Sequence, residues 1–424
     1  MEDNCFVLHG SVVFSRSKEE LEEYKEAYLV CEDGLCAGVY EELPDRYKDF
    51  PVEDFWDNLI IPGLVDLHVH APQYNYRGTG MDMELIDWLN KVTFPEEVKF
   101  RDRLYAERSY DMFVEDLYEG ATTRAAVFAT ADVPSTVKLM DLLEDSGLVS
   151  FVGKVNMDRN VPDYYCETTQ QSLEATKKWL HRIRGRYVNT FPILTPRFTP
   201  TCTDALMSGL AEIAEKENLP VQSHLSENPR EIAWVKELEK DTEFYGQAYD
   251  KFGLFGGKHP AIMAHCVYSG EAETALMKKN GVFIAHCPAS NTNLASGIAP
   301  VRRYLDMGMK VALGSDVAGG TETSVFKAMK DAVECSKLRW RLQDQSLAPL
   351  KLPEAFYMGT EAGGSFFGKV GSFKKGYEFD AVVLDDSNLQ SMKEFTPAER
   401  LERLVYLSDD RNVVGKYVRG WKLY

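Results

Sequence analysis

The stretch Pro62-Gly63-Leu64-Val65-Asp66-Leu67-His68-Val69-His70 is an apolar run that ends in two histidines. Successive side chains of a β-strand point to opposite faces, so residues two positions apart share a face. The spacing of His68 and His70 therefore predicts that their imidazoles lie together at the end of a strand. A histidine pair of this kind is compatible with a functional site and also with a buried polar pair in a core. The positions of the other polar residues in the chain distinguish these two interpretations.

Seven further short β-branched runs follow, separated by longer amphipathic stretches. The eight runs are residues 60–70, 122–130, 148–158, 188–198, 219–227, 260–268, 282–291 and 310–316. Helix candidates between them are 101–118, 172–184, 204–217, 231–239 and 270–279, the last with Ser269 as its expected N-cap. Alternating strands and helices are typical of βα units, and eight such units predict an α/β fold with a closed (β/α)8 TIM barrel.

The two ends of the chain differ from this pattern. They carry shorter strand-like runs between polar, turn-rich segments, at residues 5–14, 27–39, 380–384 and 412–423. Because both flanks are β and neither is self-sufficient, we predict one small β-sandwich domain built from residues 1–59 and 371–424. The catalytic barrel would then span residues 60–370.

Composition excludes several classes of partner. The 424-residue chain has 44% hydrophobic and 27% charged residues, as ordinary globular proteins do. Its formal net charge of −18 would repel a phosphate backbone, and no Lys/Arg-rich run reverses that sign locally. The chain begins with the acidic stretch Met1–Asn4, and no apolar stretch approaches the roughly 20 residues that span a bilayer. We therefore expect no nucleic-acid partner, no membrane association and a cytoplasmic location.

Polar residues recur at the predicted carboxyl ends of the strands. The fifth run ends with His224 and Glu227, the sixth with His265, and the eighth with Asp316. Five of the eight histidines of the chain lie at strand ends of this region: His68, His70, His224, His265 and His286. Packing alone would not select this arrangement, and catalytic residues of (β/α)8 barrels lie at this mouth. The pattern predicts a catalytic site there.

The residue types at this mouth suit a metal ion. Neutral imidazoles with one carboxylate are typical ligands of Zn²⁺, with Fe²⁺ as the competitor. We predict that one metal is held by His68, His70, His224 and Asp316, with one position open for water. Asp316 would also accept a proton from that water, and His265 would hydrogen-bond the nucleophile.

Two cysteines each follow a histidine on a predicted strand. Strand alternation predicts that Cys266 and Cys287 point away from that histidine, into the layer between strands and helices. For His286 two interpretations stay open. It either faces the pocket, or the stretch His286-Cys287-Pro288-Ala289-Ser290-Asn291 shapes a loop.

The set of strand ends resembles the amidohydrolase superfamily, and this resemblance covers essentially the whole chain. It implies the barrel and the β-sandwich built from both termini. Dinuclear members bridge two metals with a carboxylated lysine or a glutamate at strand four. Here strand four ends Leu194-Thr195-Pro196-Arg197-Phe198, which offers no such bridge and implies one metal.

Longer stretches resemble the guanine deaminase family within that superfamily. They are His68-Val69-His70-Ala71-Pro72-Gln73-Tyr74, Trp88-Leu89, Thr93-Phe94-Pro95-Glu96, Pro196-Arg197-Phe198-Thr199-Pro200, His224-Leu225-Ser226-Glu227 and His286–Asn291. The resemblance implies the same four zinc ligands, with His224 and Asp316 also beside the substrate. It implies that Gln73, Arg197 and Phe198 contact the substrate, that Glu227 shuttles protons, and that the chain forms a homodimer.

The implied reaction converts guanine and water to xanthine and ammonia, with water activated by the zinc attacking C2. That carbon resists attack until the adjacent ring nitrogen is protonated, so an acid such as Glu227 is needed. Phe198 can stack on a planar base, Arg197 offers donors, and Gln73 can present either end of its amide. The structural alternatives are an N-terminal helix acid or an Arg230 salt bridge for Glu227, and core packing for Phe198.

Two other functions compete with this one. The first is another mononuclear aminohydrolase or chlorohydrolase that acts on a pyrimidine, adenosyl or triazine ring. The second is a catalytically dead assembly protein on the same barrel, which predicts missing metal ligands, and none is missing from the sequence.

Overall fold

The computed structural model describes residues 4–424, so Met1, Glu2 and Asp3 of the acidic N-terminal stretch lie outside the described residues. The strands, in chain order, are β1 (Phe6–Ser15), β2 (Leu21–Glu32), β3 (Leu35–Tyr40), β4 (Val52–Pro62), β5 (Leu64–His70), β6 (Thr122–Phe128), β7 (Val149–Gly153), β8 (Val155–Asn156), β9 (Thr190–Pro192), β10 (Thr195–Pro196), β11 (Val221–Leu225), β12 (Ala261–His265), β13 (Phe283–His286), β14 (Lys310–Leu313), β15 (Ala381–Leu384), β16 (Val413–Val418) and β17 (Trp421–Lys422).

Helices follow most strands of the middle region. They are α1 (Leu85–Trp88), α2 (Phe94–Glu97), α3 (Arg103–Glu119), α4 (Val133–Asp145), α5 (Thr169–Ile183), α6 (Asp204–Glu217), α7 (Pro229–Leu238), α8 (Gln247–Asp250), α9 (Glu271–Asn280), α10 (Pro288–Asn293), α11 (Val301–Asp306), α12 (Val325–Leu342), α13 (Leu352–Tyr357) and α14 (Pro397–Leu407). Within residues 4–424, no helix combines the length and the apolar character that crossing a bilayer would need. The chain therefore has mixed α/β content.

Parallel strands in the middle of the chain form two four-stranded sheets, ordered β5-β6-β7-β9 and β11-β12-β13-β14. Between β9 and β10, Leu194 forms a parallel bridge with Val221 of β11. On the other side, the amide of Asp316, just after β14, donates to the carbonyl of His68 in β5 at 2.9 Å. Backbone contacts thus join the two sheets on both sides, and the carboxyl ends of their strands lie at one mouth.

Several of the expected strands are shorter than predicted. The predicted run 148–158 is divided into β7 and β8, and the run 188–198 into β9 and β10. A Cβ atom at Gly153 would overlap Oγ1 of Thr195, so only glycine allows the backbones to approach this closely there. The end of the seventh run is helical, because Pro288 begins α10. Ser269 is not the N-cap of α9, since Gly270 holds that position.

Strands from both ends of the chain share one seven-stranded sheet, ordered β17-β16-β15-β4-β1-β2-β3. Pairing is antiparallel throughout except between β1 and β4. The predicted run 27–39 is a hairpin, with Asp33 and Gly34 at φ of 54° and 77°, as a tight hairpin turn requires. β4 continues to Pro62 and pairs with β15, so it passes the predicted domain limit at residue 59.

Two buried cations attach the terminal sheet to the amino ends of the parallel strands. Arg124 of β6 donates to Asp380, from Nε at 2.6 Å and from Nη2 at 3.0 Å. Lys416 of β16 donates to the carbonyls of Leu117 and Tyr118, at the end of α3, at 2.9 and 2.5 Å. The terminal sheet therefore supports the side opposite the mouth and leaves the carboxyl ends of the strands to the candidate site.

Candidate active site

The four predicted metal ligands meet at the mouth. Nε2 of His70 lies 3.2 Å from Nε2 of His68 and 3.2 Å from Nε2 of His224. Oδ1 of Asp316 lies 3.2 Å from Nε2 of His68 and 3.4 Å from Nε2 of His70. Two donors that each lie about 2.0 Å from one tetrahedral ion are about 3.3 Å apart. The donor set therefore fits a single metal ion.

Electrostatics support that arrangement. Burial, together with the neighbouring His68, holds the pKa of His70 and of His224 well below the usual range. Both imidazoles are therefore neutral, and their lone pairs are available as ligands. Burial alone would raise the pKa of Asp316, but the surrounding histidines lower it, so this residue is a carboxylate.

A local irregularity aims the histidines of β5. Val65 and Leu67 pack in the apolar cluster at the centre of the parallel strands. The register with β6 then shifts between Asp66 and Val69, which brings His68 and His70 to the inner side. The carboxylate of Asp66 accepts from the amide of His68 at 3.2 Å, a backbone donor at the irregularity. The irregularity explains how the strand changes from apolar contacts to metal ligands on its inner side.

Unusual backbone conformations occur at other strand ends of the site. The φ angles of Ser226, His265, Cys266 and Asp316 are 47°, 74°, 50° and 49°, in the left-handed region that non-glycine residues seldom occupy. Such residues cluster at functional sites. His224 is also fixed from behind, since its Nδ1 donates to the carbonyl of Arg197 at 2.6 Å and leaves Nε2 for a metal.

Glu227 and His265 form a buried pair beside the ligand set. Oε2 of Glu227 lies 3.4 Å from Nε2 of His265, which is also 3.7 Å from Oδ2 of Asp316. Burial and the charge of Asp316 raise the pKa of Glu227 to about 8. Ser296 donates to Oε1 of Glu227 at 3.1 Å, and Nδ1 of His265 lies 2.9 Å from Oδ1 of Asn291. Glu227 can therefore carry a proton at neutral pH.

The structural alternatives for Glu227 are wrong. Arg230 pairs with Asp87 at 3.0 Å and with Glu84 at 3.4 Å. The capping acid of α7 is Glu231, whose Oε2 accepts from the amide of Glu227 at 2.9 Å. The side chain of Glu227 is thus directed to the site rather than used by the helix.

A small cavity opens over this centre. Its lining includes every predicted substrate contact: Gln73, Arg197, Phe198, His224, Glu227 and Asp316. The other lining residues are His70, Leu85, Trp88, Leu89, His265, Leu294 and Gly319. The cavity thus combines an apolar cover with a polar floor and one polar edge.

That polar edge contains a residue that the sequence analysis missed. Glu97 is buried and accepts from Arg197 twice, from Nη1 at 2.6 Å and from Nη2 at 3.0 Å. It also accepts from Nε2 of Gln73 at 3.0 Å and from the hydroxyl of Tyr165 at 3.1 Å. Although burial lowers it, the pKa of Arg197 is raised overall by Glu97. Glu97 directly follows the stretch Thr93–Glu96, which was the available signal.

The amide of Gln73 is less adaptable than expected. Its oxygen accepts from the amide of Ala318 at 3.1 Å, while its nitrogen donates to Glu97. The orientation of Gln73 is therefore fixed, and its amide nitrogen is directed toward Glu97. Phe198 lines the cavity and also packs edge-on against Trp234, with ring centroids 6.3 Å apart. Phe198 therefore both lines the cavity, where a planar base could stack on it, and packs in the core.

The two cysteines behave differently. Cys266 packs outward, with its sulfur 4.0 Å from that of Met277 on α9, as predicted. Cys287 instead lies in the central apolar cluster with Ala285, and its sulfur lies within 4.8 Å of ligand atoms of His68 and Asp316. The prediction for Cys287 was wrong because the alternation has the opposite phase. Ala285 and Cys287 point inward, so His286 is not among the residues that line the cavity.

Comparison with known proteins shows to which family the chain belongs. The amidohydrolase family model matches residues 59–422. A guanine deaminase of Dictyostelium discoideum is 37% identical, over 98% of this chain and 97% of the relative, and one of Escherichia coli strain K12 is 32% identical, over 100% and 98%. The crystal structure of guanine deaminase from C. acetobutylicum with bound guanine in the active site has 48% identity and a TM-score of 0.96, over 99% of this chain and 100% of that one. The chain therefore belongs to the amidohydrolase family and, within it, to the guanine deaminase group.

Proposed function

We propose that this protein is a metal-dependent guanine aminohydrolase, which converts guanine and water to xanthine and ammonia. The observation that carries the proposal is one cavity that opens onto the convergent metal donors and is lined by the acid Glu227 and by a polar edge with Arg197. The relatives that are named guanine deaminase, and the related structure with bound guanine, support this choice of substrate.

His68, His70, His224 and Asp316 would hold one Zn²⁺, with Fe²⁺ as the competitor. The spacing of their donor atoms supports this assignment, as does β10, the end of the fourth predicted barrel strand, where Thr195 and Pro196 supply no bridging carboxylate. When bound, the ion supplies Lewis acidity that lets water act as a nucleophile at neutral pH.

The side chains around the ion would carry the protons. Glu227 protonates N3 of guanine, which makes C2 electrophilic. As a carboxylate it then takes the proton of the hydroxyl group added at C2 and transfers it to the leaving amino group, and the proton that Asp316 takes from water restores the acid form of Glu227. Its raised pKa supports this role, because the acid must be protonated when the substrate binds. Asp316 accepts a proton from the attacking water, and His265 hydrogen-bonds that water from the position beside Glu227.

The cavity wall would orient the base. Phe198 stacks on one face of guanine, and Arg197 donates to the acceptors O6 and N7 at the far edge. Gln73 contacts a neighbouring polar group of the base with the part of its amide that Glu97 and Ala318 leave available. His224 and Asp316 border the opposite end, where C2 lies.

The same reasoning extends to the architecture. The backbone contacts on both sides of the two parallel sheets support a closed (β/α)8 barrel of residues 60–370. The irregular register of β1 at Gly10 supports a terminal sheet that folds over itself into the predicted β-sandwich of residues 1–59 and 371–424. The homodimer and the cytoplasmic location remain predictions, and light scattering of the purified protein tests the first.

An ammonia-release assay tests the proposed function. The purified protein would be offered guanine, adenine, cytosine, a methylthioadenosine-type nucleoside and a chlorotriazine, with chloride release followed for the chlorotriazine and metal content measured on the same sample. We expect rapid release of ammonia from guanine alone. If the protein turned over a different ring and left guanine unchanged, that ring would be the substrate instead of guanine. If the metal-loaded protein turned over nothing on the panel, an assembly protein would be favoured.

A further inference from the structure

Behind the polar edge of the cavity, Glu97 organises two residues that line it. Glu97 is 1% exposed, and its oxygens accept from both terminal nitrogens of Arg197 and from the amide of Gln73. Tyr165 donates a further hydrogen bond to it at 3.1 Å. Glu97 therefore determines where Arg197 and Gln73 lie, and it also determines the net charge of the edge that they form.

The charge has a consequence for what the cavity can bind. An unpaired guanidinium in a buried, low-dielectric site would attract anions strongly. The bidentate contact between Arg197 and Glu97 cancels most of that attraction, because the donor nitrogens lie within 3.0 Å of the carboxylate oxygens. The edge still offers N–H donors to a base, but it carries no net charge.

We propose that Glu97 is a specificity-determining positioning residue, which neutralises Arg197 so that the cavity binds neutral purines and releases anionic ones. This inference rests on the proposed function. The second oxo group of xanthine makes its ring N–H more acidic than that of guanine, so the product loses a proton more readily than the substrate. A positively charged edge would hold the xanthine anion, and the product would then block the next turnover.

Binding of two purines to the metal-loaded protein tests this proposal. Hypoxanthine keeps O6 and N7 and has no C2 amino group, so it binds without being deaminated. At one mildly alkaline pH, at which xanthine is mostly anionic and hypoxanthine mostly neutral, calorimetry gives the ratio of their dissociation constants. In Glu97→Gln we expect the dissociation constant of xanthine to fall relative to that of hypoxanthine by about tenfold or more. This is the change expected for one charge-assisted contact.

A matched control separates charge from general disturbance. Glu96 directly precedes Glu97 and pairs near the surface with Lys99 at 2.6 Å. Glu96→Gln therefore removes the same charge outside the polar edge and should leave the ratio of dissociation constants unchanged. In steady-state assays, Glu97→Gln should lower kcat and strengthen inhibition by xanthine. A purely structural role would weaken both purines alike, and an unchanged ratio in Glu97→Gln would overturn the proposal.

The opposite charge change keeps the test decisive if Glu97→Gln does not fold. Arg197→Gln leaves Glu97 as the charged member of the pair, so the dissociation constant of xanthine should rise relative to that of hypoxanthine. An unchanged ratio would overturn the proposal. If the wild-type protein releases ammonia from guanine but neither variant changes the ratio of dissociation constants, this inference alone is refuted. Wild-type protein that neither turns over guanine nor binds hypoxanthine refutes the proposed function, and this inference with it.

Discussion

Replacing Glu227 with glutamine is the sharpest test of the proton-transfer step. The amide has the shape of the carboxyl group, and it can still accept the hydrogen bond that Ser296 donates at 3.1 Å. It cannot release and recover a proton, however. A positioned acid–base group contributes roughly 10²–10⁴ in rate, which corresponds to about 3–5 kcal/mol of activation free energy. We therefore expect kcat for guanine to fall at least ~10²-fold in Glu227→Gln.

Two companion variants calibrate this result. Ser296→Ala removes one hydrogen bond to Glu227 and keeps the acid, so we expect a smaller loss, about tenfold. Glu237→Gln makes the same chemical change on the exposed side of α7 and should behave as wild type. The assay is steady-state ammonia release, with metal content measured by elemental analysis. Because Glu227 is not in the proposed ligand set, the metal should remain, and a near wild-type kcat in Glu227→Gln would refute its role as the shuttle.

Three further predictions concern the metal, the base and the fold. Elemental analysis of protein purified without added metal should find about one transition metal per chain, and chelation should abolish activity; two metals, or full activity after chelation, would contradict the single site. Adenine presents amino donors where guanine presents O6, so kcat/KM for guanine should exceed that for adenine by on the order of 10⁴, and Arg197→Met should cut kcat/KM for guanine severely; similar values for the two bases would exclude this recognition scheme. Arg124→Met leaves Asp380 buried without the contacts of 2.6 and 3.0 Å, so urea unfolding should show a loss of about 3–5 kcal/mol with KM unchanged, and an unchanged free energy of unfolding would show that the pair contributes little.

The sequence was informative where a local pattern was enough. Strand periodicity and the strand-end histidines predicted the alternating α/β architecture, and residues such as His70 and His224 indeed lie together. These features depend on side-chain alternation and on the shared mouth of parallel strands, both of which can be inferred from residue order.

Other features depend on contacts between distant residues. Glu97 and Arg197 are separated by 100 positions, and no periodicity in either segment indicates that they pair. The inward direction of Cys287 depends on the phase of β13, which is set by packing against neighbouring strands rather than by the residue before it. The register shift at Asp66 is likewise stabilised by Ser315, which lies on a strand end far along the chain.

The terminal sheet also affects how the molecule can form. β4 lies between β1, made early in synthesis, and β15, made near the end, so its hydrogen bonding is completed only when almost the whole chain has emerged. The contact between Arg124 and Asp380 spans 256 residues and has the same requirement. Contacts of such long sequence separation slow folding, because much chain entropy is lost before they form. A nascent chain that stops before Ala381 would expose one edge of β4, a surface on which unpaired strands associate with other chains.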